Sequence, residues 1–299
     1  MPPRVAITLG DPRGIGPEIV GAVLRDPPPG ADFVVVGPDE LVSGLSAERV
    51  GIGTAGPGSV LTPAQAGRLA GRAVERAVAL ALAGDVEAVV TGPADKAALR
   101  LGGYPYPGHT EWLAELAGGV DVAMMLAEDK LRVVLVTTHI PLRQVLDDLT
   151  TERVVGVGRI ARRELKRRFG IAQPRLAVCA VNPHAGEAGL FGDEDDEILR
   201  PAAEQLGAVG PLPADTVFVK AARGEFDAVL APYHDVGMTA IKMAAFGRAV
   251  NVTLGLPFIR TAPDHGTALD IAGKGVADSG SMRKAVEMAI RLAVGGANT

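Results

Sequence analysis

Three of the five histidines in this chain follow apolar runs that read as buried strands. VVLVTTHIPLR brings His139 to the mouth of one run, RLAVCAVNPHAGE brings His184 to a second, and DAVLAPYHDVG brings His234 to a third. Any one of these alone is more simply a hydrogen-bonded loop residue. Together they describe a different chemistry, because ligands of open α/β sheets sit beyond the carboxyl ends of the strands, where the loops converge. Three neutral imidazoles at that edge suit one divalent cation and leave coordination positions open, the catalytic arrangement of such a site. Asp235 and Glu187, beside two of the three, are placed to orient the rings or to contact a polar substrate.

The remaining two histidines stand in glycine-rich polar settings. PYPGHTEWLAE puts His109 and Thr110 at the start of a helix, whose free N–H groups favour an anion such as phosphate; plain helix capping by Thr110 is the alternative. His265 lies in APDHGTALDIAGKG, where Gly266, Gly273 and Gly275 permit close backbone approach to a flat or phosphorylated ligand, or make turns and nothing more.

These residues need elements to hold them. Candidate strands are residues 4–10, 32–37, 86–92, 131–138, 175–181, 227–233 and 249–255, with amphipathic helices between many of them. LTPAQAGRLAGRAVERAVALALAG begins with Thr62 as N-cap and Pro63 at the first helical position. TERVVGVGRIARRELKRRFG stops at Gly170, and its RRELKRR cluster is a solvated helix face. Strands apolar on both faces, alternating with helices, imply an α/β fold with a largely parallel sheet covered on both sides. At 299 residues, 47% hydrophobic and 22% charged, the chain is globular and long enough for two domains. A net charge of −5 without a basic stripe argues against nucleic acid and anionic membrane as partners. Cys179, the only cysteine, excludes an intrachain disulfide and a cysteine-based zinc site, and reads as a packed thiol. No signal-peptide layout and no apolar run of about 18 residues is present, so a cytoplasmic location is expected.

In order along the chain, LGDPRGIGPEI, TGPADKAAL, YPGHTE, TTHIPLR, NPHAGE, GPLPADTVF, YHDVGM, FGRAVNVTLGLPFIRT and DHGTALDIAGKG resemble the motifs of the PdxA family, 4-hydroxythreonine-4-phosphate dehydrogenase. The tail DHGTALDIAGKGVAD is also similar to the nicotinamide-binding segment of isocitrate and isopropylmalate dehydrogenases. The resemblance implies their fold, two α/β/α domains around a central cleft, in a homodimer with active sites at the subunit interface. Approximate boundaries are 1–108 plus 262–299 for the nucleotide-side domain, and 109–261 for the metal, substrate and dimerisation domain.

The same resemblance makes His139, His184 and His234 the ligands of a divalent metal (zinc, magnesium or cobalt), drawn from both subunits. His109, Thr110, Asp215, Lys242, Asn251 and Arg260 become substrate-binding residues. NAD is expected against His265, Gly266, Thr267 and Ala268, with Asp270 accepting from the ribose hydroxyls and repelling a 2′-phosphate. The implied reaction is NAD- and metal-dependent oxidation of a phosphorylated hydroxy acid, with decarboxylation. Lys242 or solvent on the metal takes the proton, and Asp235 is grouped with Lys242 as catalytic. Relatives acting on threonate 4-phosphate or on aromatic cis-dihydrodiol carboxylates, and a non-redox His₃-metal hydrolase or lyase, are the alternatives. Arg13 and Val236 depart from the family motifs, as does the short stretch from Gly37 to Leu61, and all three bear on which substrate is used.

Overall fold

A computed structural model of the chain describes residues 1–54, 60–245 and 247–296. Eleven strands are found among them: β1 (Arg4–Thr8), β2 (Asp32–Gly37), β3 (Glu48–Gly51), β4 (Ala88–Thr91), β5 (Ala123–Glu128), β6 (Leu131–Leu135), β7 (Leu176–Cys179), β8 (Val209–Leu212), β9 (Ala228–Ala231), β10 (Val250–Leu254) and β11 (Ile259–Pro263). The chain divides into two compact units, Met1–Val120 with Leu256–Asn298, and Asp121–Gly255. The expected boundaries at 109 and 261 thus differ from the observed division. The helix His109–Leu116 falls in the first unit, with the helix Pro63–Leu82 that it contacts.

In the first unit the strands lie in the order β3-β2-β1-β4-β11, and every neighbouring pair is parallel. Val5, Ala6, Ile7, Val34, Val35, Val36, Val89 and Val90 are buried, as both-face burial by crossover helices demands. The helix Pro63–Leu82 starts as its sequence indicates. Thr62 Oγ1 accepts from Gln65 N, and Gln65 reaches back to Thr62 N, a reciprocal capping box.

The second unit runs β10-β5-β6-β9-β7-β8. Here β5 is antiparallel to both β10 and β6, while β6-β9, β9-β7 and β7-β8 are parallel. Parallel pairing, expected and found for most of the sheet, gives way to antiparallel pairing over these first three strands. The reason is local: β5 and β6 are joined only by Asp129 and Lys130, with Asp129 at φ 43°, and so short a link can join only antiparallel neighbours. The core of this unit gathers Leu126, Val133, Leu135, Val217, Val229 and Ile241.

The seven expected strands are present, with ends trimmed by up to three residues. The basic helix ends at Arg167, short of Gly170, and its charge run is not wholly a solvated face. Glu164 is buried within it and accepts from Arg163 Nε at 3.0 Å and Arg167 Nη2 at 2.9 Å. The short stretch from Gly37 to Leu61 holds β3, while its residues 55–59 lie outside the described ones.

Two helical glycines offer a contrast. A Cβ on Gly67 would sit 1.8 Å from the Ala98 carbonyl oxygen, whereas one on Gly156 meets nothing within 4 Å. Gly67→Ala is expected to cost about 1–3 kcal/mol through forced separation of two helices. Gly156→Ala should gain about 0.5–1 kcal/mol by favouring the helix. Denaturant midpoints of the two variants check both signs.

Candidate active site

In the second unit, parallel pairing places the exits of β6 and β9 side by side. Past the last paired residues, Val136 N donates to Ala231 O at 2.9 Å, and Thr137 Oγ1 donates to Pro232 O at 2.8 Å. These bonds lock the segment leading to His139 against the segment leading to His234. The two rings come to 5.7 Å between centroids. His234 opens the helix His234–Ala245 rather than ending a strand, so its ring projects from a fixed first turn. Asp235 Oδ1 lies 2.6 Å from His234 Nδ1. A carboxylate there accepts a hydrogen bond from Nδ1–H, which leaves Nε2 as the ring's lone-pair donor toward a cation.

His184 is held differently. It lies in the short turn Pro183–Gly186, and every residue from His184 to Gly189 has positive φ: 53°, 56°, 82°, 45°, 55° and 87°. Four of these six are not glycine, and each such residue costs about 1–2 kcal/mol in the left-handed region. Such strain clusters at functional sites, where surrounding structure imposes it. His184 lines a cavity of about 440 Å³ together with Asn182, Asp215, Tyr233 and Val236. Among the described residues, no three His, Cys, Asp or Glu side chains of one chain are grouped to hold a metal. One chain thus pairs His139 with His234, and His184 does not complete a trio with them. Asn251, on β10, has its buried Oδ1 without a hydrogen-bond partner, and Lys242 is exposed on the helix that His234 opens. Cys179 is fully buried, and burial pushes its thiol up to about 12, as a packed residue requires.

The first unit assembles a second group. Arg260, on β11, is buried and donates through Nη2 to Thr91 Oγ1 at 2.7 Å, at the end of β4. Burial holds its guanidinium down to about 10, still cationic at neutral pH, with Glu111 opposing the shift. His109 packs on Trp112, ring centroids 5.9 Å apart, and its Nε2 is buried without a hydrogen-bond partner. Desolvation, then the cations Arg260 and Lys96, push its imidazole down to about 3, so the ring is neutral near pH 7. Thr110 is not the helix cap: Gly108 occupies that position and Thr110, one residue into the helix, is buried.

The glycine loop after β1 serves as a platform. A Cβ on Gly14 would lie 2.8 Å from the Thr267 carbonyl oxygen, and Ile15 N donates to that oxygen at 2.9 Å. Glu18, in the first turn of the following helix, accepts from Gly273 N at 3.2 Å and Ala277 N at 3.1 Å. These contacts pin the segment carrying His265, Gly266, Thr267, Ala268 and the exposed Asp270. Within that segment Ala268 has φ 41°, and the buried His265 Nε2 lacks a hydrogen-bond partner.

The sequence model of the family described as "Pyridoxal phosphate biosynthetic protein PdxA" matches residues 49–289. The chain belongs to the PdxA family. It is 48% identical to a D-threonate 4-phosphate dehydrogenase of Salmonella typhimurium, over 97% of this chain and 98% of that one. It is 43% identical to a 4-hydroxythreonine-4-phosphate dehydrogenase of Beijerinckia indica, over 97% and 95%. The crystal structure of a 4-hydroxythreonine-4-phosphate dehydrogenase from Klebsiella pneumoniae superposes with a TM-score of 0.87 at 42% identity, covering 98% of each chain.

Two of the three motif departures of this PdxA-family chain, Arg13 and Val236, lie close to residues just described. Arg13 is bound through Nε and Nη2 to the two oxygens of buried Asp11, at 3.0 and 2.7 Å, and reaches Asp95 at 3.5 Å. Val236 lines the cavity beside His184 and Asp215. Sequence reasoning missed Glu18, Thr91 and Asp195 as structural partners of the site. Nothing in LGDPRGIGPEI marks Glu18 as the partner of main-chain groups more than 250 positions away, and Asp195 is one of five consecutive acids, 193–197.

The depressed imidazole of His109 has a measurable consequence. Between its folded value, about 3, and the ordinary value of about 6.5, the unfolded chain binds a proton that the folded chain does not. Stability is therefore lost as pH falls through that window. His109→Gln should flatten the acid limb of stability against pH, read from denaturant midpoints, and an unchanged limb would show that His109 titrates normally.

Proposed function

We propose that this enzyme oxidises the secondary alcohol of a phosphorylated hydroxy acid with NAD and a divalent cation, and that its active site is shared between two copies of the chain. The observation that carries this reading is the His139–His234 pair with Asp235 on one ring nitrogen. Two imidazoles, one with its tautomer fixed by a carboxylate, form a donor set that fits a zinc-type cation and needs a third protein ligand. His184 of a second copy supplies that ligand. Exposed Leu142, Leu146, Leu190, Phe191 and Met243, all in the second unit, give the apolar surface that such an assembly would cover.

When bound, the cation lowers the pKa of the substrate hydroxyl and NAD accepts the hydride. The chain's own residues do the rest. Arg260 holds a permanent positive charge for the phosphate or carboxylate, with two donors in a fixed fork. Neutral His109 and Thr110 add hydrogen bonds without adding charge, while Asp215 and Asn251 contact substrate hydroxyl or amino groups. Lys242, as the free amine, takes the hydroxyl proton and becomes the ammonium, and Asp235 keeps His234 in its ligating tautomer. The segment His265–Ala268 carries the nucleotide, and Asp270 accepts from the ribose hydroxyls, which favours NAD over NADP. Decarboxylation follows from the β-keto acid that this oxidation yields.

The substrate in the main reading is 4-phosphohydroxythreonine, oxidised and decarboxylated to 3-amino-2-oxopropyl phosphate in pyridoxal phosphate biosynthesis. A second reading is threonate 4-phosphate, favoured by the 48% identity to the Salmonella relative. The two differ in the group at C2, an amine against a hydroxyl. A cytoplasmic location accompanies either reading.

NADH formation with each substrate, in the presence of Zn²⁺, Mg²⁺ or Co²⁺ and after chelation, is the direct test; absence of NADH with all of them sinks the dehydrogenase reading. Shared sites have a sharper signature. His184→Ala and His234→Ala should each be inactive, yet mixed dimers contain one intact site, so a one-to-one mixture should regain about a quarter of native activity. A mixture that stays inactive after subunit exchange argues for sites within one chain. Asp270→Ala should narrow the preference for NAD over NADP, read as the ratio of kcat/KM values.

A further inference from the structure

We propose that Asp195 is the positioning residue for His184, holding the loop from Val181 to Gly192 in the left-handed turn that presents the imidazole. This rests on the reading of His184 as a metal ligand. Six consecutive residues with positive φ do not hold themselves in place, because four carry side chains that disfavour the conformation. Main-chain bonds within the turn run from Gly189 N and Phe191 N to Gly186 O at 3.0 and 3.1 Å, from Ala185 N to Asn182 O at 3.2 Å, and more weakly from Leu190 N to Glu187 O at 3.3 Å and Glu187 N to His184 O at 3.5 Å. They close the turn on itself but leave its entry, at Val181 and Asn182, to be fixed by the residues that follow.

Asp195 is fully buried, and its two carboxylate oxygens accept from Val181 N at 2.9 Å and Asn182 N at 3.0 Å. These are the main-chain groups immediately before Pro183 and His184. A buried carboxylate bonded to charge-assisting N–H donors is a strong and directional anchor. Its neighbour Glu194 accepts from Asn182 Nδ2 at 2.7 Å, so the same residue is gripped by backbone and side chain. Asp195 also stands against the middle of the turn, since a Cβ on Gly186 would come within 3.8 Å of Asp195 Oδ2. Finally, Asp195 opens a five-residue π-helix, Asp195–Leu199, a rare wide turn that appears mostly at functional positions. A carboxylate on a surface loop would need none of this. Fixing the entry to the turn at two consecutive N–H groups leaves His184 one direction in which to point.

The test compares full-length variants by titration with Co²⁺ alone, by hydrogen exchange and by NAD binding. His184→Ala is the reference and should abolish tight Co²⁺ binding and its ligand-field spectrum. Asp195→Asn keeps the shape but replaces one acceptor with a donor that faces an N–H group. It should weaken Co²⁺ binding about 10- to 100-fold, the range for partners that orient a ligand, and speed exchange at residues 181–192. NAD affinity should stay native, which shows that the chain is folded. Asp195→Glu retains the carboxylate and should recover most of the Co²⁺ affinity. Native Co²⁺ affinity and native loop exchange in Asp195→Asn, alongside loss of binding in His184→Ala, overturn the positioning role. Native Co²⁺ binding in His184→Ala overturns the metal reading beneath it, and the proposal with it.

Discussion

The placement of His139 beside His234 depends on the parallel register of β6 and β9. Val133, Val134 and Leu135 lie opposite Val229, Leu230 and Ala231, and the pairing continues past the strands through Val136 and Thr137. Because side chains alternate along a strand, a slip of one residue would turn each exit toward the opposite face. Both faces of these strands are buried, so a slip would exchange the side chains packed against each face, and close packing resists that exchange. The same burial that stabilises the unit therefore fixes the direction in which two imidazoles leave it. Asp235 then needs only to sit next in sequence to His234 to set that ring's tautomer.

A different device operates in the first unit. There the glycine loop after β1 is packed against Thr267 so closely that a Cβ at Gly14 has no room, and Glu18 gathers two main-chain N–H groups from residues more than 250 positions away. These contacts make the loop a bed for the segment proposed to carry the nucleotide. Backbone close approach, not side-chain chemistry, explains the requirement for small residues there. His184 represents a third device, in which strain is accepted and restrained by a buried carboxylate.

Much of this was legible in the chain itself. Strands β1, β2, β4, β6, β7, β9 and β10 are continuous apolar runs, and burial on both faces leaves such a pattern. The others gave weaker signals for physical reasons. Alanine, methionine, leucine and glutamate favour helices, so AMMLAE in β5 is a strand only because β6 and β10 flank it. β3 is mostly exposed and carries Glu48 and Arg49, while β8 and β11 contain proline. In the site, residue types were readable and partners were not. Nothing in an acidic run distinguishes Asp195, which is buried, from Asp196, which pairs with Arg200 at the surface. Thr91 is another such case, since its role appears only when β11 lies beside β4 and brings Arg260 to it.

The two units also divide the electrostatic work in a way that suits the proposed chemistry. A divalent cation requires imidazole donors, and the second unit carries its histidines on exposed or partly exposed loops and a helix start, where a solvated cation can arrive. A phosphate or carboxylate requires a charge that does not titrate away, and the first unit buries a guanidinium that burial lowers only to about 10. Placing a second ionisable cation beside Arg260 would add repulsion in a poorly solvated place. His109 avoids this because burial and the neighbouring Arg260 and Lys96 together hold it neutral. In the proposed site it would contribute a hydrogen-bonding ring without altering the charge balance around a bound anion. Protonating it would require a pH near 3, in the range where carboxylates also titrate, so the division persists across neutral and mildly acidic pH.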